Sequence, residues 1–145
     1  MTTASVEQTY VIAERFDKAL RLIRSTMAEM ELSVVDEFDT VLGPGHESKR
    51  KAERSKLLLV DSPLLVFEAL ALDRAAGVFV PVHLLVSPDG NRTQVTWMEP
   101  ASLFDVRLPV GSAEPLRKLR TRVARALEVV SARSRTNHHQ PAGEV

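Results

Sequence analysis

The stretch that decides the fold is FVPVHLLVSPDGNRTQVTWM, residues 79–98. Its two apolar segments, residues 79–87 and 93–98, flank a polar turn that contains the pair Asp89 and Gly90. An Asp-Gly pair between apolar segments is typical of a tight hairpin, because glycine adopts a positive φ angle at little cost. The sequence therefore predicts two antiparallel strands here.

The residues just before the hairpin predict a strand followed by a helix. Residues 56–61 have a four-residue apolar core, which is too short for an independent helix and indicates a buried strand. Ser62 is a good N-cap and Pro63 suits the first helical position, so a helix should begin here and run through the apolar residues 64–72. Residues 73–77 form its exit.

The N-terminal part of the chain predicts a strand, a helix and a second strand. Residues 9–13 alternate weakly and suggest the first strand, and residues 32–38 suggest the second, after a tight connection at Glu31. Between them the apolar positions recur at spacings of four and three, which indicates one face of an amphipathic helix. These positions are Phe16, Leu20, Ile23, Met27 and Met30.

The remaining segments predict loops, a closing helix and a tail. Residues 43–48 are rich in glycine and lead into a basic run, so they indicate a loop, and residues 102–110 indicate an irregular return. From Pro115 the apolar residues again follow helical spacing. The polar residues 135–145 are predicted to form a disordered tail. Pro81 lacks an N–H donor and should lie at the start or the outer edge of its strand.

This order, β-α-β-β-α-β-β-α, predicts an α+β fold in a single domain, residues 1–134. We expect a single-layer, mainly antiparallel sheet of about five strands, packed by helices on one face. The other face has no predicted cover. If it carries apolar residues, we expect a partner subunit or a ligand to cover it.

Composition excludes several classes of protein and of site. The chain has 145 residues with a formal net charge of zero, which gives no whole-molecule argument for nucleic acid or an anionic membrane. It has no cysteine, which excludes disulfides, zinc-thiolate sites and thiol nucleophiles. The N-terminus does not look like a secretory signal, and the longest apolar run, residues 78–86, is too short to span a bilayer. These features predict a cytoplasmic protein that does not bind membranes.

Short motifs in residues 57–100 carry a family resemblance. They are Asp61-Ser62-Pro63, Ala69-Leu70, Asp73, Gly77, Val80-Pro81-Val82, Val86 and Asp89-Gly90. With the elements on either side, the chain resembles the domain-of-unknown-function family 302 over residues 6–131. The resemblance implies a compact α+β fold of the TATA-binding-protein type and no established biochemical role.

Two departures from the family pattern suggest a site. Many members carry Cys-Asn before the proline that begins the second helix and Pro-Cys-Asn in the next strand; this chain has Asp61-Ser62 and Pro81-Val82-His83 instead. Asp61 and His83 would supply an oxygen and a nitrogen as polar anchors, and Trp97 an apolar wall. We therefore predict a non-enzymatic, homodimeric binding module for a small apolar or amphipathic ligand, with an Asp61/His83 acid–base enzyme as the alternative.

No cofactor or metal site is predicted. The candidate ligands are scattered and none has a helical ligand spacing. These are His46, Glu47, Asp61, His83 and the pair His138-His139. Catalysis by serine lacks a Gly-x-Ser-x-Gly motif, and Ser62 is better explained as a helix cap.

A basic side of the closing helix leaves nucleic acid as a weaker alternative. Its members are Arg117, Lys118, Arg122 and Arg125. Such a surface would contact phosphates in a salt-dependent manner. The competing interpretation is internal, because the first 48 residues hold nine acidic and four basic side chains that would complement this helix within one copy or between two.

Overall fold

A computed structural model describes residues 6–40, 54–99 and 113–139. Its strands are β1 (Val6–Ile12), β2 (Ser33–Asp39), β3 (Lys56–Asp61), β4 (Val82–Asp89) and β5 (Arg92–Glu99). Its helices are α1 (Phe16–Glu29), α2 (Pro63–Leu72) and α3 (Ala113–His139), and a short 3-10 helix (Arg74–Phe79) links α2 to β4.

The strands form one five-stranded sheet in the order β1-β5-β4-β3-β2, and every neighbouring pair is antiparallel. The predicted α+β class, element order and sheet are confirmed. Sequence neighbours β2 to β5 are also neighbours in space, whereas β1 pairs with β5 at the far edge. The first strand along the chain is therefore paired with the last one. Helix α3 packs against β1 as well as against α1 and α2.

The hairpin between β4 and β5 is as tight as its sequence predicts. Asp89 pairs with Arg92, which leaves Gly90 and Asn91 as the loop, and Gly90 has a φ angle of 60°. A positive φ at the first loop position favours glycine for steric reasons. The position of Pro81, directly before the first residue of β4, is also confirmed.

The start of β4 differs from the prediction at one end. Phe79 was expected in the strand, but it ends the 3-10 helix, and the strand begins only at Val82. Asp73 begins that helix, because its side chain accepts a hydrogen bond from the Ala75 N–H at 3.0 Å. Apolar residues before Pro81 therefore belong to the approach to the strand, not to the strand itself.

Helix α1 ends in the tight connection that the sequence predicts at Glu31. The Glu31 N–H donates to the Ala28 carbonyl at 3.2 Å, and the Leu32 N–H donates to the Met27 carbonyl at 2.9 Å. This is the Schellman arrangement, which requires a left-handed residue, and Glu31 has a φ of 59°. The chain therefore reverses into β2 without a longer loop.

Helix α2 begins as predicted but is poorly covered. The Ser62 hydroxyl accepts a hydrogen bond from the Leu65 N–H at 3.4 Å, and Pro63 is the first helical residue. Leu65 and Ala69 are its buried residues, whereas Phe67 is 71% exposed. Two buried residues one helical turn apart therefore hold α2 against the core, although the helix is apolar on most sides.

The core lies between one face of the sheet and the three helices. Alternate residues of the strands point into it, as the period of two requires. The buried apolar side chains of the sheet are Ile12, Leu58, Val60, Val82, Leu84, Val86, Val95 and Trp97. Opposite them lie Ala19, Leu20, Ile23 and Met27 of α1, Leu65 of α2, and Leu119, Val123, Ala126, Leu127 and Val130 of α3.

Helix α3 extends beyond its predicted end. The polar composition of residues 135–145 predicts a tail, but the helix continues to His139. The Thr136 hydroxyl donates to the Ala132 carbonyl at 3.0 Å, and no helix-breaking residue occurs until Pro141. Polar composition alone did not predict where α3 ends, because the last turns of a helix can continue without an apolar face.

Three predicted segments lie outside the described residues: the glycine-rich loop at 43–48 with the first part of its basic run, the return at 102–110, and the end of the chain from residue 140. Within the described ranges, none of the helices combines the length and the apolar character that a bilayer crossing requires.

Candidate functional site

The second face of the sheet carries an apolar row that none of the described helices covers. Phe38, Leu57 and Leu85 are directly paired across β2, β3 and β4. Directly paired residues lie on the same face, and Phe38 and Leu85 are 49% and 38% exposed. We call this surface the open face. Its apolar members include Val11, Phe38, Leu57, Leu59 and Leu85, and its polar members include Thr9, Ser33, Asp36, Asp61, His83, Ser87, Gln94 and Thr96.

The apolar members are concentrated on one half of the open face. The row through Leu85 continues into Thr96 of β5 and Thr9 of β1, so it becomes polar beyond β4. Leu59 lies beside the row on β3 and is half-buried. The row itself is therefore apolar over β2, β3 and β4 and polar over β5 and β1.

Asp61 and His83 both lie on the open face. His83 pairs with Leu59, and Asp61 follows Leu59 by two residues, so the two side chains occupy diagonal positions on adjacent strands. His83 is exposed and Asp61 is half-buried. Burial raises the pKa of the Asp61 carboxyl above its ordinary value of 3.8.

No hydrogen bond or ion pair between Asp61 and His83 occurs in the part of the chain that the structure describes. The acid–base alternative requires the two side chains to lie within hydrogen-bond reach, and they share a face without meeting that condition. What the pair does provide is a desolvated carboxyl and an imidazole at one end of an apolar strip. Such a combination can anchor the polar end of a ligand.

Trp97 lies on the opposite side of the sheet from Asp61 and His83. Its side chain is 3% exposed within the core, and its indole N–H donates to Gln8 Oε1 at 3.1 Å. The guanidinium of Arg120 lies 5.7 Å from the ring centroid, within the range of a cation–π contact. The structure therefore brings Asp61 and His83 together and separates Trp97 from them.

The strand period carries the signal for the position of Trp97. Trp97 has the same parity as Val95 and Thr93, and all three are buried on the helix side. Apolar residues do not alternate strictly with polar residues along β4, the neighbouring strand. The sequence alone therefore did not show which residues of β5 point into the core.

The four basic residues of α3 line one groove between α3 and the C-terminal end of α1. The groove has a volume of about 470 Å³. It is lined by Glu29, Met30, Glu31, Glu114, Arg117, Lys118, Thr121, Arg122 and Arg125. We call it the α1–α3 groove. Arg117 forms an ion pair with Glu114 at 3.7 Å, so part of the basic side is complemented within this copy of the fold.

Glu29, Met30 and Glu31 are lining residues that sequence reasoning did not assign to this surface. The sequence shows that they end α1, but it does not show that this end lies against α3. The described residues contain no group of three His, Asp or Glu side chains placed to hold a metal ion. His46 and Glu47 lie outside the described residues, and His138 and His139 are the last two residues of α3.

Solved structures support the fold. A crystal structure of an uncharacterized conserved DUF302 protein from Bacillus stearothermophilus aligns with a TM-score of 0.68 and 15% sequence identity, covering 84% of this chain and 95% of that one. At this identity the likeness concerns the fold alone. The Zhui aromatase/cyclase from Streptomyces sp. R1128 aligns at 14% identity over 98% of this chain and 99% of that one, but its TM-score of 0.37 is too low to support an argument.

None of the curated proteins matches the chain. The family model described as "Domain of unknown function DUF302" matches residues 8–130, which is most of the chain and includes β2 to β5 and most of β1. The match begins within β1 and ends within α3, so it covers the sheet and most of the helical layer that packs against it. The chain therefore belongs to the DUF302 family.

Proposed function

We propose that the protein is a homodimeric binding module whose two copies associate through their open faces and hold a small apolar or amphipathic ligand there. The observation that carries this proposal is the paired row Phe38, Leu57 and Leu85 on a face without a described helix. Exposed apolar side chains in a continuous row favour contact with another apolar surface over contact with water.

The size of the open face supports a weak dimer. Five strands spaced about 4.8 Å apart, with about seven residues each, give a face of roughly 24 by 23 Å. Two such faces would bury at most roughly 1,100 Å², close to the lower limit for a specific interface. We therefore expect a dimer that forms and dissociates with protein concentration.

A second copy fits this face better than an unrelated surface because the row is self-complementary. Twofold symmetry places the same patch on both sides of an interface, and leucine and phenylalanine side chains interdigitate with one another. Facing sheets pack about 10 Å apart, the thickness of two layers of such side chains. The polar half of each face, at Thr9 and Thr96, would remain at the rim.

The ligand would lie at the end of the apolar row, where Leu59 adjoins Asp61 and His83, with its polar end against those two side chains. The Asp61 carboxyl has a raised pKa through burial and no charged partner among the causes of that shift. A ligand that donates a hydrogen bond or carries a positive charge would therefore gain by contacting it. His83, exposed on the same face, would contact the ligand from the adjacent strand.

The dimer is tested by sedimentation over a range of protein concentrations, from micromolar to millimolar. We expect the wild type to pass from monomer to dimer and Leu85→Lys to remain a monomer, because a charge would be buried in the interface. Phe67→Lys is the matched control: Phe67 is a large apolar residue of α2 with an exposed side chain, away from the open face. A wild type that stays monomeric, or a dimer lost in Phe67→Lys and kept in Leu85→Lys, would contradict the proposal.

The ligand is tested with the amphipathic probe anilinonaphthalene sulfonate, whose fluorescence rises in apolar surroundings. We expect the rise to be weakened in Leu85→Ala and His83→Ala and unchanged in Phe67→Ala. Asp61→Asn should strengthen it, because the probe's sulfonate would no longer face a carboxylate. A signal that depends on Phe67 alone would place the probe on α2 and overturn the proposed ligand site.

A further inference from the structure

We propose that the α1–α3 groove is a binding site for a small organic anion that carries at least two negative charges, with phosphate as the favoured anionic group. The groove lies in the helical layer, on the other side of the sheet from the open face, so this proposal is independent of the proposed dimer. Its volume of about 470 Å³ is within the usual range for small-molecule sites.

The groove holds an excess of positive charge once the pairs already formed are taken into account. Glu29 is engaged by Arg133, a residue outside the lining, with 2.8 Å between Nη2 and Oε2. Glu114 is engaged by Arg117 at 3.7 Å. The cations that remain are Lys118, Arg122 and Arg125, and the remaining carboxylate is Glu31. The excess is local, since the whole chain has a formal net charge of zero.

The three remaining cations have a regular arrangement on α3. Lys118, Arg122 and Arg125 are spaced by four and three residues, so they lie along one stripe of the helix. The stripe is about 10 Å long, because each residue of a helix rises 1.5 Å. A ligand with two phosphate or carboxylate groups would therefore contact successive cations, and a single small anion would occupy only part of the stripe.

Phosphate is favoured over carboxylate because a phosphate group carries more negative charge and more acceptor oxygens, so one group can accept hydrogen bonds from two arginines. The planar guanidinium donates two parallel hydrogen bonds to phosphate oxygens, and Arg122 and Arg125 both line the groove. Arg122 is half-buried, which reduces the screening of its charge by solvent. Met30, half-buried on the α1 side, provides an apolar contact for the organic part of the ligand.

The test uses inorganic pyrophosphate as the probe, in calorimetric titrations of the full chain. We expect saturable binding that weakens as salt rises, and a loss of about tenfold in affinity for Arg122→Gln, the change expected when one charge-assisted hydrogen bond is lost. Lys118→Gln should have an effect in the same direction and guards against misfolding of the first variant. The control is Arg21→Gln, which removes an exposed arginine of α1 that does not line this groove.

A second pair of variants tests the sign of the effect. Glu31→Gln removes the remaining carboxylate of the groove, so we expect tighter pyrophosphate binding. Asp36→Asn makes the same change of charge on the open face and should leave the affinity unchanged. Equal changes in both variants would show general attraction by net charge and would overturn the site.

The competing occupant is nucleic acid. If a single-stranded oligonucleotide binds and pyrophosphate neither binds nor competes with it, the small-anion site is wrong and the stripe is a nucleic-acid surface. Absence of pyrophosphate binding to the wild type, or equal losses in Arg122→Gln and Arg21→Gln, would also overturn the proposal. None of these outcomes depends on whether the protein forms a dimer.

Discussion

Leu84 and Leu85 are adjacent on β4 and differ only in the face of the sheet on which they lie. Leu84 is fully buried under the helices, whereas Leu85 is 38% exposed on the open face. The same contrast separates Leu58 from Leu57 on β3. Both faces carry leucine on these strands, but the open face also carries Asp61 and His83, and the described helices cover only the other face. The open face therefore resembles the core in its leucine residues and differs from it in having none of the described helices packed against it.

We expect the greatest loss of stability from a substitution at Leu84. Leu84→Ala would leave a cavity in the core and should lower the free energy of unfolding by about 3 kcal/mol, whereas Leu85→Ala should lower it by less than about 1 kcal/mol. Urea denaturation of dilute protein measures both values. Equal losses in the two variants would mean that Leu85 is as well covered as Leu84 in the single chain.

A second prediction compares neighbouring carboxylates on the two sides of β2. Glu37 is on the helix side, where Arg24 donates to both of its carboxylate oxygens at 2.6 Å and Lys56 lies 3.7 Å away. The hydrogen bond from Arg24 holds the pKa of Glu37 below its ordinary value of 4.5. Glu37→Gln should therefore lower the free energy of unfolding at pH 7 by about 1 kcal/mol, the upper range for a partly exposed pair.

The lowered pKa of Glu37 also fixes how the effect of Glu37→Gln on stability should depend on pH. A carboxyl whose folded-state pKa is lowered stabilises the fold above its unfolded-state pKa, and that stabilisation is lost as the pH falls through the folded-state pKa. The difference between wild type and Glu37→Gln should thus be complete at pH 7 and shrink below pH 4.5. Asp36→Asn, the adjacent carboxylate on the open face, is the control. A difference that persists unchanged in acid would show that the pair is not responsible.

The smallest expected change in stability concerns Asp61 on the open face. Burial raises the pKa of Asp61, so its ionised form destabilises the fold at neutral pH. Stability linked to this group is fully present below its ordinary value of 3.8 and is lost as the pH rises through the folded-state pKa. Asp61→Asn should therefore raise the free energy of unfolding at pH 7 by a few tenths of a kcal/mol, a range typical of surface changes.

Thermal unfolding at two pH values measures the Asp61 effect. The advantage of Asp61→Asn should be present at pH 7 and disappear in acid, where the wild-type carboxyl is itself neutral. A loss of stability at pH 7 would mean that the ionised carboxylate already has a favourable partner in the fold. That result would contradict the proposed role of Asp61 as an anchor for a ligand.

Local chemistry made several elements predictable from sequence. Ser62 and Pro63 mark the start of α2 because a hydroxyl cap and a proline both suit the first turn of a helix. Gly90 marks the hairpin because its loop position needs a positive φ. Glu31 was a weaker signal, since a glutamate in the left-handed conformation is uncommon; the abrupt change from helical to strand periodicity indicated the connection.

The candidate sites were predictable only in part. Arg117, Lys118, Arg122 and Arg125 were grouped correctly because helical spacing is a local property. Their acidic neighbours at the end of α1 were missed, since the approach of α1 to α3 depends on the packing of both helices on the sheet. The predicted ligand site combined Trp97, Asp61 and His83, which come from three strands. Side chains alternate between the two faces along β5, so a shift of one residue decides on which face Trp97 lies.

By itself, the sequence determined the order of the strands and helices, their approximate ends and the absence of thiol chemistry, because these depend on neighbours along the chain. Only the tertiary structure decided which face of the sheet is covered and which charged residues meet in a groove. Strands β3 and β4 carry leucine on both faces, so their pattern specifies burial without specifying a side. That choice depends on where α1 and α3 pack, and therefore on contacts between residues far apart in sequence.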